Sequence, residues 1–128
     1  MPREFINPSA IHKPTGYTHV VKSGNIVFIA GQVGMDRDGK VVGEGDIEAQ
    51  TRQTLANLET AVKAAGGKKE DILSITTYIL DRDDLPGLRK ARGDFFGDNP
   101  PASTLLVISG LARPEFLIEI EARAIIGD

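Results

Sequence analysis

Residues Phe116–Ile126, FLIEIEARAII, constrain this chain more than any other stretch. Side chains of a β-strand point to opposite faces with period two. Here Phe116, Ile118, Ile120, Ala122 and Ala124 fall on one side, and Leu117, Glu119, Glu121 and Arg123 on the other. The apolar side must be covered, so the strand belongs in a sheet packed against other elements. The other side carries two carboxylates close to a core. Either that face is solvated, as charges on edge strands commonly are, or it lines a site; residue chemistry alone favours solvation. Just upstream, Leu105–Ile108 is continuously apolar, which predicts a strand buried on both faces.

The remaining chain supplies what that sheet needs. Arg3–Ile6 is a short edge strand stopped by Asn7-Pro8, and a loop with Pro8, Pro14 and Gly16 follows. Tyr17–Lys22 and Ile26–Ala30 form a hairpin through Ser23-Gly24-Asn25. Gly31–Val42 reads as a second turn built on Asp38-Gly39. The period then changes. Ile47, Thr51, Leu55, Leu58, Val62 and Ala65 recur at helical steps, with Asp46 as N-cap and Gly66-Gly67 as the stop. Ile72–Leu80 lacks strict alternation but is dense in β-branched residues, which predicts a strand. A second helix follows, capped by Asp83 or Asp84, with Pro86 in its first turn, Leu88, Ala91, Phe95 and Phe96 on its inner face, and Gly97 and Asn99-Pro100-Pro101 ending it. The order β-β-β-α-β-α-β-β predicts one α+β domain over residues 1–128, a mixed six-stranded sheet with two helices on one face. The other face, left uncovered, predicts a homo-oligomer.

Several function classes drop out on composition. With 41% hydrophobic residues the chain can bury a core, and without cysteine it has no disulfide, thiolate nucleophile or thiolate metal site. No apolar signal region is visible at MPREFINPSA and no run reaches membrane-spanning length, so a cytoplasmic protein is expected. A net charge of −3 and 5% aromatics argue against nucleic acid, which calls for clustered cations and stacking rings.

Of the remaining chemistry-bearing residues, His12 and His19 lie in a loop and a strand with no cysteine and no marked nucleophile, so neither zinc nor a triad is expected. Asp36-Arg37-Asp38-Gly39 is a hairpin turn rather than a calcium loop, because no glutamate closes the pattern. Gly31-x-x-Gly34 lacks the Lys-Ser/Thr of a phosphate loop and reads as turn chemistry. Arg82, Arg89, Lys90 and Arg92 alternate with Asp81, Asp83, Asp84 and Asp94, the pattern of a solvated helix face.

A resemblance adds to this. Tyr17, Ile29-Ala30-Gly31-Gln32, Gln53-Thr54-Leu55-x-Asn57-Leu58, Ala64-Ala65-Gly66, Asp71-Ile72, Thr76–Asp81, Phe95-Phe96, Pro101-Ala102 and above all Ile118-Glu119-Ile120-Glu121-Ala122 occur in one order over nearly the whole chain. In this it resembles the RidA (YjgF-type) reactive-intermediate deaminases, also known as L-PSP endoribonucleases. The resemblance implies a chorismate-mutase-like trimer with sites between subunits. It also implies hydrolysis of an enamine or imine, such as 2-aminoacrylate or 2-iminopropionate, to a 2-oxo acid and ammonia, without metal or organic cofactor. Matched to the family, Glu119 would handle the attacking water, and Tyr17 and Gly31 would shape the pocket.

One position departs. Deaminases of the family read Pro-Ala-Arg where this chain has Pro101-Ala102-Ser103, followed by Thr104. A charge-assisted hydrogen bond from the missing arginine to a substrate carboxylate is worth about 1.5–3 kcal/mol, or roughly 10- to 150-fold in binding. Ser103 and Thr104 hydroxyls donate without charge, and Arg89 and Arg92, where the family places neutral pocket residues, are candidate replacements for the cation. The expected function is therefore hydrolysis of a small imine with altered substrate. The alternatives are a non-catalytic metabolite-binding trimer and an RNA-cleaving translation inhibitor, the last disfavoured by charge.

Overall fold

The computed structural model describes residues 1–127. Strands β1 (Arg3–Ile6), β2 (Val20–Ser23) and β3 (Ile26–Val33) precede helix α1 (Ile47–Ala64); β4 (Ile72–Ile79), α2 (Leu85–Phe96), β5 (Ala102–Val107) and β6 (Ile118–Ile125) complete the order expected from sequence. The six strands form one sheet in the order β1-β2-β3-β6-β4-β5. All neighbours are antiparallel except β4 and β5, which α2 connects as a parallel pair. The C-terminal strand thus lies at the centre, between β3 and β4.

Its alternation is realised as read: Ile118, Ile120, Ala122 and Ala124 are buried toward the helices, and Glu119, Glu121 and Arg123 face away. Leu55, Leu58, Val62 and Leu88 of the helices pack on them together with Val27, Ile29, Ile75 and Ile79. Burying each such side chain contributes about 1.5–3 kcal/mol; Leu58→Ala, at a site with no exposure, would cost about 2–5 kcal/mol. Helix α1 starts where the Asp46 carboxylate accepts from the Ala49 amide at 3.1 Å. It stops at Gly66, whose φ of 95° lies in the left-handed region.

Four expectations are corrected. Leu105–Ile108 is not buried on both faces: β5 is an edge strand, and Leu106 and Val107 are exposed in the single chain. Gly31 does not open a turn. β3 runs on through Gly31 and Gln32 to Val33, and the turn closes later, where Asp36 accepts from the Asp38 and Lys40 amides and Gly39 has a φ of 78°. The second strand begins at Val20 rather than Tyr17. Neither Asp83 nor Asp84 caps α2 through its side chain; Asp81 instead accepts from the Asp83 amide and starts a 3-10 turn leading into the helix.

Two register shifts explain where alternation fails. Between Ile72 and Ser74 one extra residue, Leu73, is inserted opposite β6, so burial in β4 resumes in phase at Ile75, Thr77 and Ile79. Between Ile29 and Gln32, β3 carries one residue more than β6 does between Ala122 and Ile120. This is a β-bulge at Ala30-Gly31, which returns Gln32 to the buried side.

The face opposite the helices is uncovered and carries Phe5, Val21, Phe28 and Arg123 in one cross-strand row. Phe5 and Phe28 are 60% and 57% exposed there.

Candidate active site

The two carboxylates of β6 share a face but not an environment. Glu121 is engaged on both oxygens, accepting from the Tyr78 hydroxyl at 2.6 Å and from the Arg123 guanidinium at 3.0 Å. Arg123 is itself held by Ser74 and Thr76 at 2.7 and 2.9 Å. Those partners stand opposite on β4 because the register pairs Thr76 with Glu121 and Ser74 with Arg123. Glu119, one pleat along, has no hydrogen bond or ion pair to any described residue, although it is half-buried. Burial, and secondarily the charge of Glu121, raise its pKa above the ordinary 4.5. A carboxyl made more basic by its surroundings and left without a partner is equipped to take a proton.

Its position depends on the bulge in β3. The Glu119 side chain lies over Gly31, and a Cβ built on that residue would fall 2.7 Å from Glu119 Cδ and 2.8 Å from Cγ. Glycine is required here for space and not for backbone conformation. Buried amides fix the surrounding backbone. Asn57 of α1 donates to the Val33 and Met35 carbonyls at 3.1 and 3.0 Å, tying down the end of β3. Gln50 donates to the Glu115 carbonyl at 2.9 Å and accepts from the Leu117 amide at 2.9 Å, fixing the entry to β6.

Glu119 and Gly31 open onto a cleft of about 730 Å³ that Tyr17 also lines. Burial, and then the negative charge of Glu119, raise the Tyr17 pKa. Three expected residues are therefore brought together. The same cleft collects residues that sequence reasoning passed over: Lys13, Arg37, Arg113 and His12. Arg113 is bound to Glu115 at 2.8 Å, whereas Lys13 and Arg37 have no ion pair among the described residues. The Asp36–Gly39 turn, read as bland, thus brings a cation to the cleft mouth.

Both histidines, read as unremarkable, lie behind Tyr17. His12 Nε2 is 3.0 Å from the Tyr17 hydroxyl. His19, with no exposed surface, bonds the His12 carbonyl through Nε2 at 2.7 Å, and its Nδ1 is 3.0 Å from the Gln32 amide nitrogen. No spacing rule could have found this, because a proline-containing loop folds residue 12 back onto residue 19.

The other expected residues lie elsewhere. Ser103, Arg89 and Arg92 line a second groove of about 260 Å³, with Pro100 and Pro101 on its wall. Ser103 pairs with buried Ile75 and so lies on the helix side of β5, while Thr104 pairs with Thr76 on the open face. Two of the four acids interleaved with these arginines are committed elsewhere, Asp94 to Arg52 at 2.8 Å and Asp81 to the Asp83 amide. Neither Arg89 nor Arg92 has an ion pair among the described residues. Within one chain this groove and the Glu119 cleft share no lining residue.

The family model for endoribonuclease L-PSP matches residues 7–126. The RutC family protein of Pyrococcus horikoshii is 38% identical over 124 residues, covering 95% of this chain and 97% of that one. The 3-aminoacrylate deaminase RutC of Acinetobacter baylyi is 32% identical over 125 residues, 97% of this chain and 98% of its own. Among solved structures, RidA from a Psychrobacter species superimposes with a TM-score of 0.89 at 25% identity, over 96% and 99% of the two chains. Escherichia coli TdcF with bound serine does so with 0.89 at 26%, over 97% and 99%.

Proposed function

The chain belongs to the endoribonuclease L-PSP family, with the RidA-type α+β fold, and on that premise we propose that it hydrolyses a small, carboxylate-bearing enamine or imine to the carbonyl compound and ammonia. The single observation that carries this reading is the contrast between Glu121, bound on both oxygens, and Glu119, half-buried, unpartnered and made more basic, over Gly31 in the cleft.

The chemistry needs little more. A protonated imine is electrophilic enough for water to attack its carbon. Glu119 takes the proton that water loses as the C–O bond forms, giving a carbinolamine. Returning that proton to the nitrogen lets the C–N bond break; as the carbonyl forms, the carbinolamine hydroxyl proton passes to Glu119 and from it to the departing ammonia, so that the sum is protonated imine plus water to carbonyl plus ammonium. An enamine substrate first gains a proton at carbon, which the same carboxyl can supply.

The substrate carboxylate requires a cation. In this reading the chain assembles as a homotrimer through its uncovered sheet face, and the groove with Ser103, Thr104 nearby and the unpaired Arg89 and Arg92 of one copy meets the Glu119 cleft of the next. Two arginines from α2 then stand in for the single family arginine. Similarity to the Acinetobacter baylyi 3-aminoacrylate deaminase supports an enamine as substrate class.

A second reading, a non-catalytic metabolite-binding trimer, has its own support in Ser103 and in the serine held by the related TdcF. One experiment separates the two: ammonia release from 2-iminopropionate and from 3-aminoacrylate by wild type and Glu119→Gln. Turnover by wild type that the variant loses supports the hydrolase. Absence of turnover, with serine or a 2-oxo acid still binding, replaces it with the binding protein. An RNA-cleaving role is disfavoured by the net charge of −3, since phosphate binding depends on cations.

A further inference from the structure

Behind the cleft lies a buried polar chain whose proton arrangement follows from its geometry. The carbonyl of His12 can only accept, so the His19 Nε2 2.7 Å away carries hydrogen. Its Nδ1 is then a lone pair, and the Gln32 amide nitrogen donates to it at 3.0 Å. That amide is not reversed, because the same nitrogen also donates to the Ala30 carbonyl at 3.0 Å, where an oxygen would be repelled. His19 is thereby fixed as the neutral Nε2–H form.

His12 has the same choice with one constraint less. Its Nδ1 is buried and has no hydrogen-bond partner among the described residues, while its Nε2 faces the Tyr17 oxygen at 3.0 Å. A hydrogen on Nδ1 would leave a buried N–H orphaned; a hydrogen on Nε2 leaves only a bare lone pair there. Orphaned buried N–H groups are the rarer of the two defects. We therefore infer that His12 is a positioning residue: its Nε2–H donates to the phenol oxygen of Tyr17, so that the one hydroxyl proton of Tyr17 is turned outward, as a donor into the cleft that Glu119 lines.

Tyr17 is then a hydrogen-bond donor as well as a wall of the cleft, and the histidine pair is what orients it. Gln32 is the neighbour of Gly31 in β3, so the chain Gln32–His19–His12–Tyr17 aligns the phenol with the bulge that seats Glu119. It holds whether the cleft hydrolyses its ligand or only binds it. The charged groups sharing the cleft with the phenol are Glu119, Lys13, Arg37, Asp38 and Arg113.

The chain has two tyrosines, two histidines and no tryptophan, which makes the test direct. In a Tyr78→Phe background, absorbance near 295 nm follows the ionisation of Tyr17 alone. A donor on the phenol oxygen favours phenolate, so His12→Ala should move the Tyr17 midpoint upward. A midpoint that moves down or stays put would mean that Tyr17 donates to His12 or does not bond it, and overturns the assignment. Because the loop could suffer from losing His12, the wild-type protein supplies a second reading. Long-range ¹H–¹⁵N spectra should show His12 protonated on Nε2 at neutral pH, as His19 is; a His12 protonated on Nδ1 alone refutes the inference without any substitution.

Discussion

Gly31 and Glu119 are fitted to each other: the carboxylate occupies the space above Gly31 that a Cβ would need. The φ of Gly31 lies outside the left-handed region, so alanine is compatible with the backbone and the displaced atoms belong to the far end of a flexible side chain. Gly31→Ala should therefore fold with nearly wild-type thermal stability. Displacing the carboxylate by about 1 Å should nonetheless lower kcat roughly 100-fold, a split that calorimetry and ammonia release read separately.

The neighbouring carboxylates should fail differently. Glu119→Gln should reduce kcat by about 100- to 10,000-fold, the usual weight of a general acid–base group. Glu121→Gln should leave kcat within a few-fold but weaken the Tyr78 and Arg123 contacts. That loss should cost about 1 kcal/mol of stability, given that both charges are partly exposed. Equal kinetic damage from the two would contradict the division of roles.

The raised pKa of Glu119 has consequences of definite sign. The folded state holds this proton more tightly than the unfolded chain, whose ordinary value is 4.5, so the stabilisation is complete below 4.5 and is lost as pH rises through the folded value. At neutral pH Glu119 is thus a net destabiliser, and Glu119→Gln should raise Tm at pH 7 and gain nothing at pH 4. Activity should run the other way, with kcat/KM climbing with pH through the folded-state value as the base becomes available. A Glu119→Gln variant less stable at pH 7 would argue against a carboxylate ionised at a cost.

Restoring the family cation tests the substituted site. Ser103→Arg should raise kcat/KM for 2-iminopropionate by roughly 10- to 150-fold. Arg89→Ala and Arg92→Ala should lower it in the wild type and lose that effect in the Ser103→Arg background, since one guanidinium then suffices. Wild-type rates that are already high and indifferent to both arginines would place the cation in the Glu119 cleft, at Lys13 or Arg37.

Assembly is open to sedimentation. At micromolar concentration the chain should run at three times its own mass, and Phe28→Glu, placed in the exposed row beside Arg123, should dissociate it and abolish turnover together. A fully active monomer would remove the proposed meeting of the two grooves.

What the sequence discloses here is what local periodicity can encode. The alternation of β6 and the helical step of α1 were legible because each repeats without interruption. β4 and β3 were less so, since each carries one inserted residue, and a period that slips by one looks like no period at all. Leu105–Ile108 has the composition of a central strand and the position of an edge strand. An apolar run shows that both faces avoid water without showing whether its own chain covers them. Glu119 and Glu121 are indistinguishable by spacing; what separates them is Arg123, two residues along the same strand, and Tyr78, which stands opposite Glu119 in the β4 register yet reaches diagonally to bond Glu121. His12 and His19 were passed over because their relation exists only after the intervening loop has folded.

The bulge at Ala30-Gly31 makes the Glu119 seat an addition to the architecture. Ile29 and Gln32 hold the ladder on either side of a single supernumerary residue, and the Glu119 seat exists only within that interruption. Excising one residue there would restore an even pleat and leave helices, core and sheet order in place while the seat closed. Under the proposed reading, the seat of the chemistry and the stability of the fold are therefore separable at a single residue position.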